Sequence, residues 1–175
     1  MNDLPLRPTM RAEELRHAFD RTFAEPPGID TALKENLLAI RLGRAAYALR
    51  LSEIGGVYSE KKVTRVPASS PALLGIASFR GTVMPVYDLH ILLGFPTSSA
   101  VRRLVTMSVA PIALAFDTFE GHLRIPSDAI APQGASEGMR HHVREFVRTA
   151  GDVRGIVDLA SVIATIRTQV SQTAS

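Results

Sequence analysis

Five histidines, the carboxylates and one arginine are the residues of this 175-residue chain that could do chemistry, and their spacing decides what kind. His141 and His142 are adjacent. On a strand they point to opposite faces, and on a helix they diverge by about 100°, so they do not make a shared metal site. His90 and His122 stand in different halves of the chain without metal-ligand spacing, and no His-Glu-x-x-His occurs. There is no cysteine, which removes disulfides, thiolate metal sites and a cysteine nucleophile. A Gly-x-Ser-x-Gly elbow and a phosphate-cradling glycine loop are also missing. No catalytic residue, metal or cofactor is expected. Arg80 offers something else: a planar guanidinium fork that pairs with carboxylates, which is the chemistry of recognition.

The elements that must position these residues are mostly strands. From Asn36 the apolar period is two, with Leu38, Ile40 and Leu42 facing one way and Ala39 and Arg41 the other. Gly43-Arg44 suits a type II′ turn, and Tyr47, Leu49 and Leu51 return on one face opposite Ala46, Ala48 and Arg50. Further strands are predicted near 63–66, 82–87, 103–109, 112–116, 143–149 and 153–157, with short helices after Asp88 and Asp158. Both aspartates read as helix N-caps. Pro85, lacking a ladder donor, predicts an edge or a bulge.

The pattern is duplicated. At an offset of 67 residues Leu38, Ile40 and Leu42 meet Val105, Met107 and Val109, Ala46–Leu49 meet Ala113–Phe116, and Glu53 meets Glu120. At an offset of 70, Gly81, Val83, Val86, Asp88 and Leu89 meet Gly151, Val153, Ile156, Asp158 and Leu159. Two copies of one β unit imply two similar lobes of about five strands each, sharing an interface because neither half buries enough apolar area alone. Arg80 meets Ala150. An arginine needed only to hold a barrel turn would be needed twice, so its absence from the second copy favours a role specific to one lobe, pairing with a carboxylate on a partner or across a groove, over an internal structural pair.

Composition narrows the class. Hydrophobic residues at 46% and charged residues at 21% describe a globular chain and not a disordered one. No run reaches the roughly 18 apolar residues of a membrane helix, and Arg11, Glu13, Glu14 and Arg16 interrupt any signal-peptide core. The net charge of +3 is scattered, with Lys61-Lys62 and Arg102-Arg103 as the largest basic groups, so no nucleic-acid stripe is visible. A reducing cytoplasm is the expected setting. Residues 1–33 differ from the rest. Thr9 can cap a helix whose stripe Leu15, Phe19 and Phe23 either folds back on the main domain or docks a partner, and Pro26-Pro27-Gly28 ends it.

The run Tyr47-Ala48-Leu49-Arg50-Leu51-Ser52-Glu53-Ile54, the run Pro71 to Gly81 ending in Arg80-Gly81, and Val83-Met84-Pro85-Val86-Tyr87-Asp88-Leu89 resemble the first lobe of CheW-type coupling proteins. Ala113–Phe116, Ile125-Pro126 and Gly151–Leu159 match the second lobe more loosely. The resemblance implies an all-β fold of two SH3-like five-stranded barrels with short helices. Together with the N-terminal helix and linker (1–33), it divides the chain into that segment, a CheW-like domain (34–168, with intertwined lobes of about 37–100 and 101–167) and a tail (169–175). It also implies a non-catalytic chemotaxis adaptor, cytoplasmic at the membrane-associated receptor array. A groove between the barrels would take a chemoreceptor's cytoplasmic hairpin tip, and a barrel end would take the regulatory domain of a CheA-type histidine kinase. Carried over by motif, Leu51, Glu53, Gly75 and Arg80 are the partner-binding positions. The chain departs from the family pattern at Ser78-Phe79, where Asn-Leu is usual, in a longer 57–70 segment, and in the added N-terminus. These departures also suit a divergent scaffold serving a non-chemotactic sensory kinase. A small-molecule-binding or enzymatic double barrel is the remaining alternative.

Overall fold

A computed structural model describes residues 33–173 except 60, 68–69, 97–102, 133–140 and 150. The helix expected after Thr9 lies outside the described residues. Among the described residues, eleven strands form two antiparallel-rich sheets, with short helical segments between them. In chain order they are β1 (Lys34–Leu42), β2 (Ala45–Arg50), β3 (Ile54–Ser59), β4 (Leu73–Phe79), β5 (Thr82–Asp88), β6 (Arg103–Met107), β7 (Ala113–Phe116), β8 (Thr118–Pro126), β9 (Ile130–Pro132), β10 (Val143–Arg148) and β11 (Val153–Val157). Helix α1 spans Leu89–Leu92 and α2 spans Leu159–Thr173.

The first sheet runs β8-β1-β2-β11-β10-β9 and the second β3-β6-β7-β5-β4. Through the two offsets these are one topology built twice. Hairpin β1–β2 corresponds to β6–β7, β3 to β8, and β4–β5 to β10–β11. The isolated Thr64–Ile76 bridge matches the Ala131–Phe146 pair of β9 and β10. The parallel joins repeat as well, β11 with β2 and β5 with β7.

The lobes do not follow the halves at 37–100 and 101–167. Each hairpin sits in the lobe made by the other copy: lobe one is β1–β2 with β8–β11, and lobe two is β3–β7. The reason lies in the two-sided hairpins. Leu38, Ile40, Leu42, Tyr47 and Leu49 join Val105, Met107, Leu114 and Phe116 in a core drawn from both sheets and both helices. The opposite faces carry Leu37 and Ala48 into the interior of lobe one, and Leu104, Ala113 and Ala115 into that of lobe two. A strand buried on both faces needs cover on both, and the exchange supplies it.

Local chemistry fixes the joints. Gly43 takes φ +57° while Arg44 does not have positive φ, the pattern a type II′ connection needs. Asp88 accepts from the His90 amide at 3.0 Å and Asp158 from the Ser161 amide at 3.0 Å, so both aspartates do cap their helices. Pro85 pairs with Ile76 on β4 one residue before β7 joins at Val86, where a missing donor costs least. Helix α2 is longer than the sequence predicts and continues through the expected 169–175 tail to Thr173. Leu159, Val162, Ile163 and Ile166 are buried at helical spacing, so packing against the core carries it on. Among the described residues no helix is long and apolar enough to cross a membrane.

Candidate functional site

The chain crosses between lobes at two places: a 3-10 turn over Leu51–Glu53 leads from β2 to β3, and Asp117 leads from β7 to β8. The second crossing is knitted into the fold. Asp117 Oδ2 accepts from the Gly43 amide at 2.6 Å and lies 3.2 Å from Nε2 of the buried His90, whose ring packs edge-on to Phe95. Spacing did not reveal this pair, because only the lobe exchange brings 43, 90 and 117 together.

The first crossing faces outward. Leu51 packs half-buried against the shared core, and no side chain caps its turn. The Ser108 amide donates to the Glu53 carbonyl at 2.9 Å and Ser108 Oγ to the Ser52 carbonyl at 3.3 Å, which ties the turn to the β6–β7 connection. Beside it opens a groove of about 730 Å³. Its walls are Lys34, Glu35 and Asn36 of β1, Arg50 of β2, Leu51 and Ser52 of the crossing, and His122 of β8. The expected groove lies between the barrels; this one lies where the chain leaves lobe one and is walled mostly by it. Arg50 is held by Glu35 at 2.9 Å and by Glu145. Glu53 Oε2 is buried with no hydrogen-bond partner. Burial pushes the Glu53 carboxyl above its ordinary value, with Arg50 opposing and Asp158 and Glu35 reinforcing the rise.

Arg80 occupies the tip of the β4–β5 hairpin, exposed, at φ +51°, followed by Gly81 at φ +86°. Two positive φ values make the type I′ geometry that suits the twist of a two-residue hairpin. An arginine there costs about 1 kcal/mol relative to glycine. The strand registers place this tip at the same end of lobe two as the Leu51–Glu53 turn and the 108–112 connection. Val83 and Val109 add exposed apolar surface at that end, 63% and 67% accessible. The sequence did not single them out, because alternation alone does not say which valines stay uncovered.

Gly75 is not brought to this surface. It is buried at φ +144°, and a Cβ there would stand 2.1 Å from the Thr64 carbonyl oxygen. Its conformation and close approach account for the glycine. Among the described residues no group of three or more histidines and acids is placed to hold a metal ion.

Two interlocked β lobes thus present a groove beside the first crossing and an exposed end on lobe two. The CheW-like domain family model matches residues 36–167. Among curated proteins, the chemotaxis protein CheW of Bacillus subtilis is 22% identical over 135 residues, covering 74% of this chain and 86% of its own. The CheW of Thermotoga maritima is 24% identical over 139 residues, covering 77% and 92%. The crystal structure of the scaffolding protein TtCheW from Thermoanaerobacter tengcongensis superposes with a TM-score of 0.65 at 18% identity, over 71% of this chain and 89% of that one, and shares the fold. The chain belongs to the CheW-like domain family.

Proposed function

We propose that this chain is a non-catalytic coupling adaptor, placed in the cytoplasm at the receptor array, that joins a chemoreceptor to a CheA-type histidine kinase. The groove beside Leu51 takes the receptor's hairpin tip. The end of lobe two that carries Arg80, Val83 and Val109 takes the kinase's regulatory domain. One observation carries the proposal: the first crossing leaves Leu51 half-exposed on an uncapped turn at a groove, whereas the second crossing is closed by Asp117, Gly43 and His90. Family membership and the curated relatives' role in chemotaxis support it. A bridged kinase is held where receptor motion shifts its conformational populations, so coupling needs geometry and no bond chemistry.

Leu51→Asp tests the groove. The variant stays folded and weakens binding of a purified chemoreceptor cytoplasmic fragment at least tenfold, about 1.4 kcal/mol, because a carboxylate desolvated there is costly. Loss of binding only in proportion to lost folding would return Leu51 to the core. Arg80→Ala tests the barrel end. It changes stability by less than about 0.5 kcal/mol yet abolishes or retunes kinase control, and Arg80→Lys does not restore it, since lysine presents a point charge instead of a fork. Wild-type binding and kinase control in Arg80→Ala would remove Arg80 from the interface.

A further inference from the structure

Duplication provides an internal control for Glu53. Its counterpart Glu120 accepts from Arg41 Nε at 2.7 Å and from Arg154 Nη1, and Asp152 completes the cluster by accepting from both arginines at 3.0 and 3.2 Å. Through the same offsets, the positions of Arg41, Asp152 and Arg154 are Ser108, Thr82 and Met84. Of four charged positions in one copy, only the glutamate remains in the other. Among the described residues no donor reaches the buried Oε2 of Glu53, although the residue as a whole is only half-buried. Arg50, the cation that acts on it, already serves Glu35 and Glu145. Glu35 and Asp158 add negative potential, and Glu53 pays for its burial with a raised pKa.

We infer that the partner segment seated beside Leu51 brings a cationic side chain, an arginine, to the Glu53 carboxylate, completing from outside the pairing that Arg41 and Arg154 provide for Glu120. The inference rests on the coupling role proposed above and specifies the chemistry of that partner. The groove wall ends at Ser52, the residue before Glu53, and no hydrogen bond holds Glu53 Oε2 in its buried position. A guanidinium suits the task better than an ammonium because its fork can engage both oxygens, while an ammonium acts as a point charge.

The experiment measures binding of a purified chemoreceptor cytoplasmic fragment to wild type, Glu53→Gln and Leu51→Asp at low and high salt. Each arginine of the fragment's hairpin tip is replaced in turn by methionine. Glu53→Gln should keep the wild-type melting temperature, since it removes a buried charge without breaking a bond. It should weaken binding tenfold or more at low salt, with the difference shrinking at high salt as screening weakens the pair. One arginine variant should lose nothing further when combined with Glu53→Gln. Binding by Glu53→Gln equal to wild type while Leu51→Asp fails overturns the inference alone, as do additive losses for every tip arginine. If wild type does not bind the fragment, the coupling proposal falls and the inference falls with it.

Discussion

Gly75→Ala should lower the stability of the domain by about 3 kcal/mol, a fall of roughly 6–12 °C in melting temperature for a domain of this size. Two costs coincide at this position. The backbone sits at φ +144°, which side-chain-bearing residues rarely adopt, and the added Cβ would meet the Thr64 carbonyl oxygen at 2.1 Å and the Arg65 Cα at 3.0 Å. Those neighbours are backbone and cannot swing aside. Thr64 is fixed in turn by two hydrogen bonds to Ile76, both 2.8 Å, so the methyl group would force apart the bridge that binds this segment to β4. Thermal melting and receptor-fragment binding, normalised to the folded fraction, distinguish the roles. A wild-type melting temperature with selectively lost binding would make Gly75 a contact residue after all.

The second large effect is expected in lobe one. Glu120→Gln should cost about 1 kcal/mol at neutral pH, the upper scale for a solvent-screened ion pair and fitting here because Glu120 belongs to a network of four charges. Arg154 is 8% exposed and would keep only Asp152 as an anionic partner, while Arg41 would lose its Nε bond. The pH dependence follows from the carboxyl itself. Partial burial would raise its pKa, but the hydrogen bonds from Arg41 and Arg154 outweigh that and hold it below the ordinary value of 4.5. A carboxyl depressed on folding contributes stability that is fully present above its unfolded pKa and is lost as pH falls through the folded one. Wild-type melting temperature should therefore decline below about pH 4.5, and Glu120→Gln should flatten that decline. Parallel acid profiles for the two proteins would show that the cluster is not an acid-sensitive fastening.

The opposite behaviour of Glu53 and Glu120 shows how far a repeat can be trusted. The offset of 67 residues pairs them correctly as positions. It says nothing of their partners: the arginines that hold Glu120, Arg41 and Arg154, come from strands far away in sequence, and their counterparts at Glu53 are Ser108 and Met84. Strand detection had the same boundary. Alternation exposed β1, β2, β5, β6, β7, β10 and β11 in the sequence. It did not expose β3 with Gly55-Gly56, β4 with Gly75 in mid-strand, or the long, largely polar β8. The segment near 63–66 forms one bridge at Thr64 and no strand. Glycines mask period two, and an edge strand with one covered face has few apolar residues to show it.

By itself the sequence determined the class and the units: an all-β chain, two copies of hairpin, strand pair and aspartate-capped helix, and the motifs that mark the CheW-like family. Those features are local, set by side-chain period, turn residues and capping within a few positions. Only the tertiary structure decided which copy each hairpin completes, that the space beside Gly75 is filled by the Thr64 backbone, that His90 and Asp117 close the second crossing, and that Glu53 Oε2 is buried without a hydrogen bond. Each depends on pairings across tens of residues, where burial on both faces of a strand, and not the strand's own pattern, selects the partner.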